Sequence, residues 1–243
     1  MPLLLFKSYM SSPAAARKSI ENRLEKVDDE ELREQLDIVN KIIATHQDTK
    51  YNKFCEILRS LNWAGREQDD RIVVFTERIE TINYLKANLE KDFKIKDKPI
   101  RSGDGEYPRI AVFQGGMLDT EQDAMIENFG KKDSPIRMLI CSDAGAQGVN
   151  LHYYCNRMFN YDIPWSLITL EQRNGRIDRY KQPRVPYIHY LVLRSDNPNI
   201  STDFRILDRL KEKEDEVNRT LGDAAEVFHL YDVHQEEKVI EKA

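Results

Sequence analysis

Two hydrophobic periods divide the chain. Between residues 14 and 62 apolar side chains recur at helical spacing, with Leu32, Leu36, Val39 and Ile43 in one set and Phe54, Ile57, Leu58 and Leu61 in the next. Each set makes one apolar stripe opposite a charged face, which predicts amphipathic helices. The segment "GREQDD" (65–70) breaks that pattern as a polar turn. Beyond it, short β-rich runs alternate with helical ones. "RIVVFT" (71–76) leads to a helix carrying Ile79, Ile82, Leu85 and Leu89, and "RIAVF" (109–113) leads through "QGGM" to a helix carrying Met125 and Phe129. "RMLIC" (137–141) enters "SDAGAQGVNL", "NRMFNY" (156–161) passes through "DIPWS" into another helix, and "YIHYLVL" (187–193) ends the series.

Apolar strands alternating with amphipathic helices predict βαβ units, and hence an α/β fold with a parallel sheet flanked by helices. The expected organisation is a helical region over 1–65, one α/β domain over 66–195 and a charged helical tail over 196–243. The polar, Gly- and Pro-containing "KIKDKPIRSGDGEYP" (94–108) reads as a flexible loop, and "KEKEDE" (211–216) as a solvated helix face. No internal repeat is visible.

Composition narrows the function. A chain of 243 residues that is 40% hydrophobic and 33% charged can bury a sizeable core beneath a very polar exterior. Its formal charge of -5 excludes a generally basic nucleic-acid binder, so any phosphate contact needs a local patch. Cys55, Cys141 and Cys155 are odd in number and lack metal-ligand spacing, which fits a reducing cytoplasm and no metal site. The apolar run "LLLF" (3–6) is too short for a signal core or a membrane span.

In an open parallel sheet, ligands bind beyond the carboxyl ends of the strands. The unusual segments all fall there: "TER", "QGG", "SDAGAQG" and, after the fourth strand, "EQRNGRIDRYKQ" (171–182). Projected as a helix at about 100° per residue, this last segment puts Leu167, Leu170 and Ile177 on one side. Gln172, Arg176 and Arg179 fall on the other side, at i, i+4 and i+7. Gly175 costs about 1 kcal/mol of helix propensity relative to Ala; close backbone approach to a neighbouring group would explain it. The arginine fork suits phosphate, and two on one face could clamp a phosphoryl group that is developing charge. Gly145 and Gly148 would let backbone amides approach an anion. Each segment also has a plainer reading: a solvated salt-bridged helix, an ordinary loop, a tight turn. His152 and His189 read as structural, and Trp165 as a core or hinge aromatic.

Taken in order, these segments resemble the C-terminal RecA-like lobe of superfamily-two helicases over residues 48–195, most closely the Swi/Snf and RapA-like double-stranded DNA translocases. "DTKYNKFCEIL" is similar to the helix entering that lobe, "VVFTER" to motif IV, and "VFQGGMLDTEQDAMIENF" to the glycine turn and helix that follow. "ICSDAGAQGVNLH" resembles motif V, "FNYDIPWS" the segment before motif VI, and "LEQRNGRIDRYKQ" motif VI. The resemblance implies that Arg176 and Arg179 are arginine fingers directed at the γ-phosphate of ATP held by another lobe, with Gln172 beside them. It implies that Gly148 and Asn150 lie towards the nucleotide, that Ser142 touches a nucleic-acid phosphate and that Asp143 couples the two sites. Thr76, Gly115 and, more loosely, Arg78 would add phosphate-backbone contacts. Residues 1–47 resemble the less regular helical region between the lobes. Two positions depart from the pattern: Tyr180 and Lys181 stand where Ile-Gly is frequent, and Asp143 where the Swi/Snf branch commonly has Arg.

The chain has no G-x-x-x-x-G-K-[ST] segment to cradle phosphates and no D-E-x-H-type pair to hold magnesium. The resemblance therefore implies one lobe of a two-lobe ATPase, inactive by itself. ATP and Mg2+ would be held mainly by the N-terminal RecA-like lobe of the same polypeptide. Double-stranded DNA is the expected partner, with RNA or a single strand left open and no membrane. The competing expectation is a non-catalytic interaction module that retains the fold.

Overall fold

The computed structural model describes residues 3–96, 98–145, 148–195 and 203–221. The chain begins with α1 (Leu3–Ser11), α2 (Pro13–Leu24), α3 (Glu30–Ala44) and α4 (Thr49–Ser60). Their starts are written locally. Ser12 accepts from the Ala15 amide with Pro13 in the first turn, Asp29 accepts from Leu32, and Asp48 accepts from Lys50 and Tyr51. Then follow β1 (Arg71–Phe75), α5 (Ile79–Asp92), β2 (Ile100–Ser102), β3 (Gly105–Tyr107), β4 (Ile110–Phe113) and α6 (Asp119–Phe129). The chain continues through β5 (Met138–Cys141), β6 (Cys155–Asn160), α7 (Leu167–Asn174), β7 (Tyr187–Tyr190) and α8 (Asp203–Leu221).

Five strands form one sheet in the order β4-β5-β1-β6-β7, every pair parallel. Every residue of β1 and β5 is buried, as a sheet covered on both faces requires. Side chains alternate between two apolar layers. Ile72, Val74, Ile140 and Phe159 pack with Phe54 and Leu58 of α4 and with Ile82, Leu85 and Leu89 of α5. Val73, Phe75, Leu139 and Met158 pack on the other side with Phe129 of α6 and Ile177. Although α4 precedes the expected domain start at 66, its apolar stripe belongs to the sheet's own core.

The segment expected to be a flexible loop contains the antiparallel hairpin β2–β3, with Ile100 opposite Tyr107 and Ser102 opposite Gly105. Gly103 turns the hairpin at φ 62, a conformation that suits glycine. Asn128 of α6 donates to Ser102 at 2.9 Å and fastens the hairpin to the body. Polarity alone had marked this stretch as loop; three-residue strands are too short for an alternation signal.

The charged tail is a helix where described, and it is docked. Ile206 and Leu210 of α8 are buried against Trp165, Leu167 and Leu170. Lys211, Glu212 and Asp215 on its other side are exposed, as expected of a solvated face. A separate apolar cluster of Leu5, Ala16, Ile20, Leu32 and Val39 joins α1, α2 and α3.

Candidate functional site

The carboxyl ends of the parallel strands deliver four segments to one edge. Thr76 to Arg78 follow β1, Gln114 to Gly116 follow β4, Ser142 to Gly145 follow β5, and Tyr161 with Asp162 follows β6. At their centre stands Arg173, on α7, its side chain only 2% exposed. Its Nε and Nη2 donate to the two carboxylate oxygens of Asp143 at 2.5 and 2.7 Å, a bidentate pair. Its Nη1 donates to the Asp162 carbonyl at 2.6 Å and to Asn160 Oδ1 at 3.3 Å, and the guanidinium lies over the Phe75 ring. Burial works against this charge, but Asp143, Glu77 and Asp162 outweigh it and raise the arginine's pKa. Arg173 is not among the residues that the motif segments single out. The available signal was its place in the projected helix, about 60° from Leu170 and on the apolar side. The acidic Asp143 at a position commonly basic is the complement of this buried cation.

The helix itself differs from the projection. α7 ends at Asn174 with Gly175 as its C-cap. The chain continues through tighter turns, in which Arg176 N donates to Arg173 O at 3.0 Å and Ile177 N to Asn174 O at 3.1 Å. Gln172, Arg176 and Arg179 therefore do not share one helical face. A Cβ on Gly175 would meet only α7's own carbonyls, the nearest at 3.3 Å, so no neighbouring element makes the expected close approach. Leu167 and Leu170 pack with α8 and Trp165, whereas Ile177 alone joins the core beneath the sheet. Trp165 is a core aromatic.

Arg176 and Arg179 nonetheless come together over the end of the motif V segment. Arg176 Nη1 donates to Val149 O at 3.4 Å, Arg179 donates to Asn150 Oδ1, and Leu151 N donates to the Arg176 carbonyl at 3.1 Å. Partial burial and then the adjacent Arg179 lower the pKa of Arg176. Among the described residues neither guanidinium has a carboxylate partner. Exposed Gln172 lines a cleft of about 170 Å³ with Phe75, Asp143, Thr169, Arg173 and Arg176.

The other expected site residues divide into surface and interior. Ser142 Oγ accepts from Gly115 N at 3.3 Å and from Gly145 N at 3.2 Å, tying the glycine turn to the motif V loop. Gly145 has no space for a side chain, since a Cβ would lie 2.9 Å from Gln114 Cα and Phe113 O. Gly148 instead adopts φ +81 in open space. Gly115 is exposed. Thr76, expected at a phosphate, is fully buried and donates its hydroxyl to Asp162 Oδ2 at 2.5 Å. Arg78 stands at the N-cap position of α5 without a side-chain capping bond, and its guanidinium instead donates to Leu4 O at 3.3 Å, reaching α1.

Asp162 was not anticipated. Besides Thr76, it accepts from Ser11 Oγ at 2.8 Å, Glu77 N at 3.1 Å and Lys50 Nζ at 3.3 Å. Nearby, burial pushes the Glu77 carboxyl upward, with Lys7 and Arg173 opposing and Asp162 and Asp143 reinforcing the shift. His189 stacks on Phe159 at 4.4 Å and His152 on Tyr153 at 4.4 Å; burial followed by an adjacent arginine lowers both pKa values. Among the described residues no group of His, Cys, Asp and Glu could hold a metal ion, and no helix is long and apolar enough to cross a membrane.

The uncharacterized ATP-dependent helicase YqhH of Bacillus subtilis (strain 168) is 28% identical over 206 residues, 81% of this chain and 32% of YqhH. The RNA polymerase-associated protein RapA of Vibrio cholerae serotype O1 (strain M66-2) is 36% identical over 137 residues, 53% of this chain and 13% of RapA. This chain thus spans about a third of the first relative and far less of the second. Among solved structures, the C-terminal part of the Fun30 ATPase domain is similar over 82% of this chain and 67% of its own, at 14% identity and a TM-score of 0.48. The family model for the helicase conserved C-terminal domain matches residues 49–181, more than half of the chain. That match runs from the first residue of α4, through β1, β4, β5 and β6 of the parallel sheet, to the turns bearing Arg176 and Arg179, and the chain belongs to this family of RecA-like helicase lobes.

Proposed function

We propose that this chain is the C-terminal motor lobe of an ATP-dependent translocase acting on double-stranded DNA. The observation that carries the reading is the contrast among three neighbouring arginines. Arg173 is neutralised inside the fold by Asp143, whereas Arg176 and Arg179 stand together beside the cleft without carboxylate partners among the described residues. Two adjacent guanidiniums repel each other, and an anion with several oxygens relieves that repulsion.

The residues present fit the outer oxygens of a phosphate presented from elsewhere, not a whole nucleotide. A second lobe of the parent polypeptide would hold ATP and Mg2+, which supply the phosphoryl group to be transferred. In this chain, Arg176 and Arg179 would neutralise charge at that group, with Gln172 beside them. Asn150 holds Arg179, and the turn at Gly148 sets the course of that segment. The Arg173–Asp143 pair joins this end to the loop where Ser142 binds the Gly115 turn. Movement of the cleft would therefore reach the exposed Gly115 turn, where nucleic-acid phosphates would be met.

The test uses the parent polypeptide carrying Arg176→Ala and Arg179→Ala. DNA-stimulated ATP turnover is expected to fall about 10³-fold or more, with binding of nucleotide and DNA largely kept. Normal turnover would sink the reading and leave a non-catalytic interaction module. Stimulation by single-stranded DNA or RNA in place of duplex would correct the substrate.

A further inference from the structure

Lys50 lies at the first turn of α4, away from the cleft, and its side chain is only 4% exposed. Its ammonium is fully engaged. Nζ donates to Met10 O at 2.8 Å, lies 3.3 Å from Asp162 Oδ1 and 3.7 Å from Asp203 Oδ2, and sits over the Tyr161 ring. An ammonium this deeply buried is tolerated only with such partners, so its position is tightly bound to theirs. Three elements meet on it: the end of α1 through Met10, α8 through Asp203, and the end of β6 through Asp162.

Asp162 faces two ways. Its carboxylate receives Lys50 on one oxygen, and Ser11, Thr76 and the Glu77 amide on the other. Its backbone carbonyl receives Arg173 Nη1 at 2.6 Å. Asp162 thus connects the buried ammonium directly to the buried arginine. Asp203 is itself anchored, accepting from Leu193 N at 3.1 Å just beyond β7.

We propose that Lys50 is a positioning residue for the arginine cluster. By holding the Asp162 carboxylate it fixes the carbonyl that seats Arg173, and by holding Asp203 it makes that seat depend on the docking of α8. Displacement of α8 then reaches Arg173 through one ammonium and one aspartate, whereas α1 also touches Asp162 directly through Ser11. The consequence for catalysis rests on the motor-lobe reading; the coupling to Arg173 does not.

The experiment therefore reads Arg173 directly in the 243-residue chain. In ¹⁵N-resolved spectra, the buried Nε–H of Arg173, held by Asp143, is expected to exchange slowly with water, and the Val73 amide in central β1 reports the core. Lys50→Met is expected to speed Arg173 Nε–H exchange by about tenfold or more, the loss expected when a strong charge-assisted contact weakens, with Val73 protection unchanged. Asp203→Asn, which keeps an acceptor for Leu193 N, is expected to move Arg173 the same way by a smaller factor. Unchanged Arg173 exchange in a folded Lys50→Met chain overturns the proposal. Equal acceleration of Arg173 and Val73 also overturns it, because Lys50 then contributes only to global stability. If Lys50→Met does not fold, the same two criteria applied to Asp203→Asn decide. ATP turnover enters neither criterion, so failure of the motor reading and failure of the coupling are distinguishable.

Discussion

Arg173 and Arg176 stand one helical turn apart in the chain and have opposite surroundings. Arg173 is buried with its guanidinium matched to Asp143 and the Asp162 carbonyl, while Arg176 is half-buried and, among the described residues, its guanidinium donates to the Val149 carbonyl and has no carboxylate partner. Their roles in stability should differ accordingly. Asp143→Ala leaves a buried cation with one acceptor set removed, and breaking such a pair costs about 3 kcal/mol. The low end of the usual range applies because Asp143 is 34% exposed and water can partly replace it. Arg176→Ala removes no matched charge, and a cost of about 0.5 kcal/mol or less is expected. Urea unfolding of the two variants checks this, and similar midpoints for both would contradict the division of labour. Helical projection and motif resemblance singled out Arg176 and Arg179, but the different part played by Arg173 needed three dimensions. Asp143 lies thirty positions before Arg173, and nothing local announces that they meet. Thr76 shows the same limit, since its hydroxyl chemistry was legible but its burial under Asp162 was not.

Among the elements, those buried on two faces were the most legible. After the leading Arg71, "IVVF" is apolar throughout, as is "MLIC", because these residues alternate between two covering layers, and their assignment as parallel strands followed from that. The helix after "DIPWS" was read as too long. Its anchors lie in different clusters, with Leu167 and Leu170 against α8 and Ile177 beneath the sheet, so the chain must bend between them, and Gly175 is where it does. Periodicity counts apolar positions without knowing which partner each will meet. The partner of Leu170 is a helix that begins more than thirty positions later, and its charged sequence pointed only to a solvated surface. That docking is testable. Leu210→Ala removes a side chain that is 1% exposed, at a cost of about 2 to 5 kcal/mol. Hydrogen exchange should show α8 opening first, while the β1 amides keep their protection. Simultaneous loss in both would mean that α8 and the sheet unfold as one unit.

For the molecule as a whole, the proposed motor-lobe reading gives this chain one half of a two-sided site. Its formal charge of -5 opposes a nucleotide at long range, and its cationic groups at the cleft edge are few. It has no glycine-rich loop ending in Lys and Ser or Thr, so the amides that would enclose phosphates are missing from its sequence. Affinity for ATP should then be weak in isolation, because two surface guanidiniums in water hold an anion poorly. Binding to the folded state stabilises it by RT ln(1 + [L]/Kd), and a ligand present at its Kd contributes about 0.4 kcal/mol. For a chain of this size that corresponds to a rise of about 1 °C in the unfolding midpoint. Millimolar ATP with Mg2+ is therefore expected to raise the midpoint of the isolated chain by about 1 °C or less. The Arg176→Ala, Arg179→Ala double variant should abolish even that. On the proposed reading, a second lobe of the parent polypeptide would close over the same arginines and exclude water, so their loss should appear in turnover rather than in the stability of this lobe. A rise of several degrees with the isolated wild-type chain would show that it cradles nucleotide unaided, and the assignment of ATP to a second lobe would have to be withdrawn.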